Sequence, residues 1–206
     1  MGGTTHAAAS RAIGGQSICY RPLLCPPPPD AAHFLPCPLQ VNTAFLKLAD
    51  LFRNGHNFIR VCILRVVRSC ESVLSSVVNA EAVIQRLSSV LESTHVSARA
   101  LTLRTLGSMA RLITRNYSFQ EKLKGLLDSP HRVEVDAAIY ATNSLAPICE
   151  SFAVMVLPTI AKRIHALETP PAVQLAFIAV LRHMHHNNTM AHEVKAICMK
   201  VPMTNF

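Results

Sequence analysis

NFIRVCILRVV, residues 57–67, is the stretch that decides the fold, because its pattern returns about every 38 residues. Three later segments align with it, namely VSARALTLRTL (96–106), RVEVDAAIYATN (132–143) and PAVQLAFIAVL (171–181). The alignment makes four positions equivalent: Arg60, Arg99, Asp136 and Gln174. A period of this length with two helices per unit is typical of HEAT and armadillo repeats. The sequence therefore predicts an all-α, HEAT/armadillo-like helical-repeat solenoid, a fold that usually holds other molecules along an extended surface.

The first helix of each predicted pair lies between these segments and carries apolar residues at helical spacing. VNTAFLKLADLFR (41–53) is the clearest, and Asn42 and Gly55 are placed to cap its two ends. Its predicted apolar face consists of Ala44, Phe45, Leu48, Leu51 and Phe52. The whole pattern predicts about four helix pairs plus a truncated fifth, whose first helix is TMAHEVKAICMK (189–200).

Small residues in the second helices predict close helix crossings. Ala100 and Gly107 lie in one second helix, and Ala137 and Ala141 lie in the next. Small side chains let helix axes approach to the short end of the usual range of about 8–10 Å. Since glycine inside a helix costs up to about 1 kcal/mol relative to alanine, we expect close packing to be the reason for Gly107.

Composition divides the chain into two parts. Residues 1–39 contain runs of Gly, Ala and Pro without helical period and are predicted to be a disordered tail. Residues 40–206 form the predicted helical-repeat domain. Half of the residues are apolar and only 16% are charged, so we expect part of the surface to be buried against a partner. The longest apolar run, residues 152–161, is about half the length of a membrane span, so no membrane association is expected.

Residues that could carry chemistry are few. The sequence contains no phosphate-binding glycine loop, no nucleophile elbow and no paired-carboxylate motif, and its cysteines form no CxxC pair. His183, His185, His186 and His192 cluster near the end of the fourth pair, and two of them have the i, i+3 spacing that metal ligands on a helix can have. No acidic ligand stands at a defined spacing, so a polar helix end is the favoured interpretation. We predict no catalytic residue, no metal and no cofactor.

Basic residues are the strongest indication of a binding surface. The net charge is +8, of which residues 1–39 contribute only two arginines and one aspartate. The second helices of the first two pairs contain seven arginines: Arg60, Arg65, Arg68, Arg99, Arg104, Arg111 and Arg115. The repeat matches Arg60 to Arg99 and Arg65 to Arg104, so these four are the candidate partner contacts. They could meet nucleic-acid phosphates, an acidic partner or carboxylates between repeats. No aromatic residues are interleaved with them to stack on bases, which favours the protein roles.

Longer motifs carry a family resemblance. LKLADLFR (46–53), ARALTLRTLGSMA (98–110) and VEVDAA (133–138) follow one another in the order and at the distances of a known family. From about Gln40 to about Met199, the chain resembles the N-terminal HEAT-type region of the Integrator complex subunit seven family. That family continues for hundreds of residues past the equivalent of Phe206, so the resemblance implies a fragment or short form of a longer subunit.

The resemblance also implies a function. Integrator is a nuclear assembly bound to RNA polymerase II that cleaves the 3′ ends of small nuclear RNA precursors and terminates nascent transcripts. A member of this family is expected to be a non-catalytic nuclear scaffold. Its partners would be other Integrator subunits and, indirectly, the polymerase assembly. Two alternatives stay open from the residues alone, a basic helical-repeat module that binds RNA or DNA directly, if only weakly, and a metal enzyme at the histidine cluster.

Overall fold

The computed structural model describes residues 37–201, which form α-helices and two short 3₁₀ segments, with no β-strand in that range. The helices are α1 (Pro38–Asn54), α2 (Asn57–Ser69), α3 (Ala80–Ser88), α4 (Val96–Ser108), α5 (Ala110–Ile113), α6 (Tyr117–Leu126), α7 (Arg132–Leu145), α8 (Glu150–His165), α9 (Pro171–Leu181) and α10 (Asn188–Met199). The 3₁₀ segments are Glu71–Ser76 and Ser89–Glu92. The predicted tail 1–39 lies outside the described residues except for positions 37–39. None of the described helices is long and apolar enough to cross a membrane.

The helices pair and stack in two layers, as the repeat predicts. α1 packs on α2, α3 on α4, α6 on α7 and α8 on α9. We call α1, α3, α6 and α8 the first-helix layer, and α2, α4, α7 and α9 the second-helix layer, in which each helix contacts the next. The prediction of an all-α helical-repeat solenoid is therefore confirmed.

Small residues account for the close packing of α4 against α7, the most extensive contact in the second-helix layer. A Cβ atom built on Gly107 would lie 2.7 Å from Ala141 Cα and 3.0 Å from Ala141 Cβ. Ala100 and Ala137 are also buried. The expected reason for a glycine inside α4 is confirmed, because a larger residue does not fit between the two helices without moving one of them.

Asparagines at the N-termini of α6 and α10 join these helices to the first helix of the preceding repeat. Asn116 caps α6: its Oδ1 accepts from the N–H of Phe119 at 2.8 Å, and its Nδ2 donates to the carboxylate of Glu81 on α3. Asn187 caps α10 in the same way, and its Nδ2 donates to Glu150 of α8 at 2.7 Å. Each asparagine thus satisfies a helix N–H that would otherwise lack a partner and ties its helix to the preceding repeat.

Helix α1 differs from its prediction at its start. It begins at Pro38, earlier than the predicted first residue, because proline is accommodated in the first turn of a helix. Asn42 therefore lies inside the helix and is not its N-cap. Its Oδ1 instead accepts a hydrogen bond from the backbone N–H of Asn79, at 2.8 Å. The predicted end is confirmed, since Gly55 is the C-cap and its N–H donates to the carbonyl of Leu51.

The buried face of α1 is also narrower than predicted. It consists of Val41, Phe45, Ala49 and Phe52. Leu48 is half-buried, whereas Ala44 and Leu51 are exposed. The helix lies at the edge of the described fold and packs mainly on α2 and α3, so only one narrow stripe of its surface is covered.

The last helix is loosely packed, which agrees with a truncated fifth pair. Met190 is the one fully buried residue of α10, while Val194 and Ile197 are half-buried. On α9, Leu175 remains 50% exposed, although the equivalent residue Ala137 is completely buried. The apolar side of α9 is therefore only partly covered by the described residues.

Candidate partner-binding face

The outward side of the second-helix layer carries a group of arginines that spans four repeats. We call this group the arginine face and define it by Arg65, Arg68, Arg104, Arg111 and Arg182. The first two belong to α2, the third to α4 and the fourth to α5, and Arg182 directly follows α9. Four of these side chains are exposed and Arg104 is half-buried. Within residues 37–201 none of the five forms an ion pair.

Contacts around Tyr140 place these residues on one side of the layer. The guanidinium carbon of Arg68 lies 5.2 Å from the centre of the Tyr140 ring, a cation–π contact between α2 and α7. The Tyr140 hydroxyl shares a hydrogen bond of 3.1 Å with the Ser108 hydroxyl of α4. Three adjacent helices therefore meet here. Arg65 and Arg104 lie one helical turn before Arg68 and Ser108 respectively, on the same helix faces.

A groove of about 450 Å³ opens where the C-terminal ends of α4, α7 and α9 meet. Small and uncharged residues make up much of its lining: Gly107, Ser108, Ala110, Asn143, Ser144 and Pro147. Arg111, Arg182 and His183 contribute basic groups, and Glu71 is the acidic residue among those that line it. The groove thus joins residues from four successive repeats, and positive groups outnumber negative ones.

His183 is held in its neutral form. Burial lowers the pKa of His183, and electrostatic repulsion from Arg182 and His185 lowers it further. Arg182 Nε donates to His183 Nε2 at 2.8 Å, so that nitrogen carries no proton. At neutral pH the lining of the groove therefore holds two guanidinium charges, one carboxylate and an uncharged imidazole.

Acidic residues are concentrated on the opposite side of the fold. The first-helix layer, with the turns that follow it and α10, contains Asp50, Glu81, Glu92, Glu121, Asp128, Glu150, Glu168 and Glu193. Several of them neutralise basic residues of the same layer, as in the Arg86–Asp50 pair at 2.6 Å and the Lys122–Glu92 pair at 3.3 Å. Because the arginine face lacks such partners, positive potential accumulates on one side of the solenoid.

Arg60, one of the four predicted contact residues, is bound within its own repeat. Its Nε and Nη2 donate to the carbonyls of Phe52 and Arg53, at 3.0 and 3.3 Å, where α1 ends and leaves carbonyls without helical partners. Gln174 occupies the equivalent position and donates to the carbonyl of Ala166 after α8, at 3.2 Å. In these two repeats the position closes the turn between the two helices of a pair, whereas the equivalent Asp136 accepts from Arg132 of its own helix.

Arg99, another predicted contact residue, is bound still more firmly. It donates through Nε to Glu134 of α7 and through Nη1 to the Ser93 carbonyl at 2.7 Å. The Arg99 and Glu134 side chains are only 17% and 2% exposed. Burial alone would raise the pKa of Glu134, but hydrogen bonds from Arg99 and Ser129 and the charges of Arg99 and His131 hold that pKa below its usual range. The hydrogen bond to Glu134 raises the pKa of Arg99. This ion pair links the second repeat to the third.

The four predicted residues therefore fall into two groups. Arg65 and Arg104 belong to the arginine face, whereas Arg60 and Arg99 make contacts inside the solenoid. Sequence reasoning did not select Arg68 or Arg111 and missed Arg182. One signal could have identified all three, since they lie at or just after the C-terminal ends of α2, α4 and α9, where cations are favoured by the helix dipole.

The histidine cluster makes polar contacts with the protein. His186 Nε2 lies 2.7 Å from the Ala146 carbonyl oxygen, and His185 Nδ1 lies 3.0 Å from the Arg182 carbonyl oxygen. His183 accepts from Arg182 as described above. Among residues 37–201, no group of three or more His, Cys, Asp or Glu side chains is arranged to hold a metal ion. These contacts favour the polar helix end over a metal centre.

Comparison with known proteins connects the chain to a family. Residues 31–205 match the family described as "Integrator complex subunit 7, N-terminal". The Homo sapiens protein named Integrator complex subunit 7 is 37% identical over 166 residues, which are 81% of this chain and 17% of that protein. The Drosophila melanogaster protein of the same name is 38% identical over 175 residues, 83% of this chain and 18% of that protein. The Dictyostelium discoideum homolog is 35% identical over 162 residues, 79% and 16% of the two chains. The chain spans less than a fifth of the length of these relatives.

Proposed function

Because this chain belongs to the Integrator complex subunit 7 family, whose N-terminal region it matches, we propose that it is a non-catalytic scaffold subunit of the Integrator complex. It acts in the nucleus, where it supports 3′-end processing of small nuclear RNA and termination of transcripts made by RNA polymerase II. Its direct partners are other Integrator subunits, and it reaches the polymerase assembly through them.

The observation that carries the scaffold proposal is the separation of charge between the two layers. The first-helix layer neutralises much of its own charge and ties successive repeats together. The arginine face offers guanidinium groups from the first, second and fourth repeats with no ion-pair partner among residues 37–201. Arg65 and Arg104 are the predicted contact residues that remain available for a partner. Arg60 and Arg99 support the same surface indirectly, since they fix the repeats that carry it.

A binding role also agrees with the chemistry of the groove. A hydrolytic or transfer site would bring a nucleophile within reach of a base. Ser108 and Ser144 line the groove together with His183, but His183 Nε2 already accepts a hydrogen bond from Arg182. The Ser108 hydroxyl lies within hydrogen-bond distance of the Arg104 carbonyl and of the Tyr140 hydroxyl. These groups suit binding rather than catalysis.

Direct binding of RNA or DNA is the second candidate, and the same arginine face supports it. Phosphates would bind its guanidinium groups in a salt-dependent manner. Base recognition on single strands usually adds aromatic rings on which bases stack. Tyr140, the aromatic residue at this face, has Arg68 over its ring and so offers a poor stacking platform. We therefore rank this candidate below the protein scaffold.

Co-purification tests the proposal. The tagged 206-residue chain is expressed in cells, recovered from nuclear extract with and without nuclease treatment, and its partners are quantified by mass spectrometry. We expect Integrator subunits to be enriched over the tag alone, and to remain so after nuclease treatment. Loss of the enrichment on nuclease treatment would favour the nucleic-acid candidate. An absence of Integrator subunits from both samples would contradict the scaffold proposal.

A matched pair of variants locates the contact. Arg65→Glu with Arg104→Glu should lower the recovery of Integrator subunits, because it reverses two charges on the arginine face. Lys47→Glu with Arg53→Glu changes the net charge by the same amount on exposed residues of α1, in the other layer, and should leave recovery unchanged. Equal losses in both variants would mean that overall charge, and not this face, determines binding.

A further inference from the structure

We propose that the groove at the C-terminal ends of α4, α7 and α9 binds an acidic, extended segment of a partner protein. This inference rests on the proposed scaffold function and adds the chemistry of the partner. Arg111 and Arg182 would bind carboxylates inside the groove, and Arg65 and Arg104 would bind further carboxylates along the same face. The reasons are the charge of the groove, its direction across the repeats and the absence of a base-stacking surface.

Charge is the first reason. Arg111 and Arg182 line the groove and have no ion-pair partner among residues 37–201, and Glu71 is the single acidic residue in the lining. Arginine is suited to bind carboxylates because its planar guanidinium can donate two parallel hydrogen bonds. His183 is neutral and its Nε2 already accepts a hydrogen bond from Arg182, so it adds no positive charge to the groove. The two arginines are therefore the groups that would bind an anion. The groove therefore favours an anionic ligand.

The direction of the groove is the second reason. Its lining comes from four successive repeats: Glu71 follows α2, the stretch 107–111 covers the end of α4 and the start of α5, the stretch 143–148 covers the end of α7 and the turn after it, and Arg182 directly follows α9. Adjacent helix axes are about 8–10 Å apart, so three such steps cover roughly 25–30 Å. An extended chain rises about 3.3 Å per residue and would need about eight residues to follow that path. The side-chain amide of Asn143 offers both a donor and an acceptor to the backbone of such a segment.

The residues that line the groove also favour a protein segment over nucleic acid as its ligand. Single-stranded nucleic acid gains about 1–3 kcal/mol per base from aromatic stacking. No Phe, Tyr or Trp lines the groove, its one imidazole ring, His183, is half-buried and hydrogen-bonded to Arg182, and the nearby ring of Tyr140 has the guanidinium of Arg68 over it. The exposed aromatic residues of the described region, Phe58 and Tyr117, begin α2 and α6 and do not line the groove. Carboxylates on a flexible peptide match the groove without requiring a stacking platform.

Fluorescence anisotropy with the full 206-residue chain tests the inference. The probe is a labelled peptide of about eight residues that alternates glutamate and glycine, matched to the estimated path. A peptide that replaces glutamate with glutamine and a single-stranded oligouridylate of equal negative charge are the comparison ligands. We expect the acidic peptide to bind at low salt more tightly than the oligouridylate, and the glutamine peptide not to bind. Tighter binding of the oligouridylate, or no binding of the acidic peptide, would overturn the inference.

Variants show whether the groove is the site. Arg111→Glu with Arg182→Glu should weaken acidic-peptide binding about tenfold or more, since the two side chains that would bind the peptide's carboxylates now repel them. Lys47→Glu with Arg53→Glu, which has the same net charge, should retain the affinity of the unmodified chain to within about twofold. Circular dichroism verifies that each variant is folded. If the groove variant does not fold, Arg111→Gln provides the test, because Arg111 is exposed and has no ion-pair partner among residues 37–201; it should weaken binding about threefold.

The test separates this inference from the function on which it rests. If the groove variant still co-purifies with Integrator subunits and binds the acidic peptide normally, the inference is wrong while the scaffold function stands. If the unmodified chain binds the peptide but recovers no Integrator subunit, the groove chemistry is right and the proposed function is wrong.

Discussion

Replacement of Gly107 by alanine tests the packing on which the solenoid depends. Ordinarily this change stabilises a helix by up to about 1 kcal/mol, because glycine has the greater backbone freedom to lose on folding. At this position the new methyl group would lie 2.7 Å from Ala141 Cα and 3.2 Å from Tyr140 Cδ1. Favourable contacts between carbon atoms need about 3.5–4.0 Å, so α4 and α7 must separate by roughly 1 Å.

The size of the effect follows from what that separation disturbs. Overpacking a close-packed core costs about 1–3 kcal/mol, and here the obstacle is helix backbone, which yields less than a side-chain end. Residues on both sides of the crossing, among them Leu103, Leu106 and Ala138, are completely buried and would lose contacts. After subtraction of the gain in helix propensity, we expect a net loss of about 1–2 kcal/mol. For a chain of this length the Tm should fall by roughly 2–8 °C.

Gly125 provides a matched control in the same chain. It lies in α6, and a Cβ atom built on it meets nothing within 4 Å beyond the adjoining backbone of its own helix. Gly125→Ala should therefore stabilise the protein slightly, by at most about 1 kcal/mol. Thermal unfolding followed by circular dichroism at 222 nm, the usual helix wavelength, compares the two variants. If Gly107→Ala raised the Tm as Gly125→Ala does, α4 and α7 would not be as close as described and the reasoning would be refuted.

Further predictions concern the buried ion pair, the second-helix layer and the last repeat. Glu134→Gln should lower the free energy of unfolding by about 1.5–3 kcal/mol at neutral pH. Because folding lowers the pKa of Glu134, its stabilising contribution is full above the ordinary carboxyl pKa of about 4 and is lost as the pH falls through the lower folded value. Urea unfolding should therefore show the two proteins converging in acid, and a pH-independent difference would contradict the role of the ion pair. Ala137→Leu should overpack a fully buried site and cost about 1–3 kcal/mol, whereas Ala172→Leu at an exposed site should change stability by less than about 0.5 kcal/mol; equal urea midpoints would contradict the burial pattern. The half-exposed Leu175 should promote self-association of the chain, and Leu175→Lys should reduce that self-association in sedimentation experiments. An unmodified chain that sediments as a monomer would contradict this prediction.

The helical-repeat fold could be predicted from the sequence because its signal is periodic. The same apolar skeleton returns in every repeat, and a local pattern was enough to place the second helices and the reason for Gly107. The face of α1 was harder to predict. Ala44 and Leu51 fit a helical stripe as well as the buried residues do, and only the positions of α2 and α3 determine which part of the stripe is covered.

The roles of the arginines could be predicted only in part. The equivalence of Arg60 and Arg99 was visible in the repeat, but their intramolecular partners were not. Glu134 is 35 residues from Arg99 and reaches it only because α4 and α7 lie side by side. The groove was not foreseen, since its lining comes from four separated segments. Arg182 lies eight residues after Gln174, just as Arg68 lies eight residues after the equivalent Arg60, but its place in that groove is visible only in the structure.

Arginine footprinting tests the central claim most directly, namely that this chain is a scaffold whose arginine face contacts a partner in the Integrator complex. The free chain and the co-purified assembly are treated with an arginine-selective dicarbonyl reagent, and modification is measured residue by residue by mass spectrometry. Assembly should protect Arg65, Arg104, Arg111 and Arg182, while Arg53, exposed at the end of α1, should react equally in both samples. Unchanged reactivity of the arginine face in an assembly that contains Integrator subunits would contradict the claim.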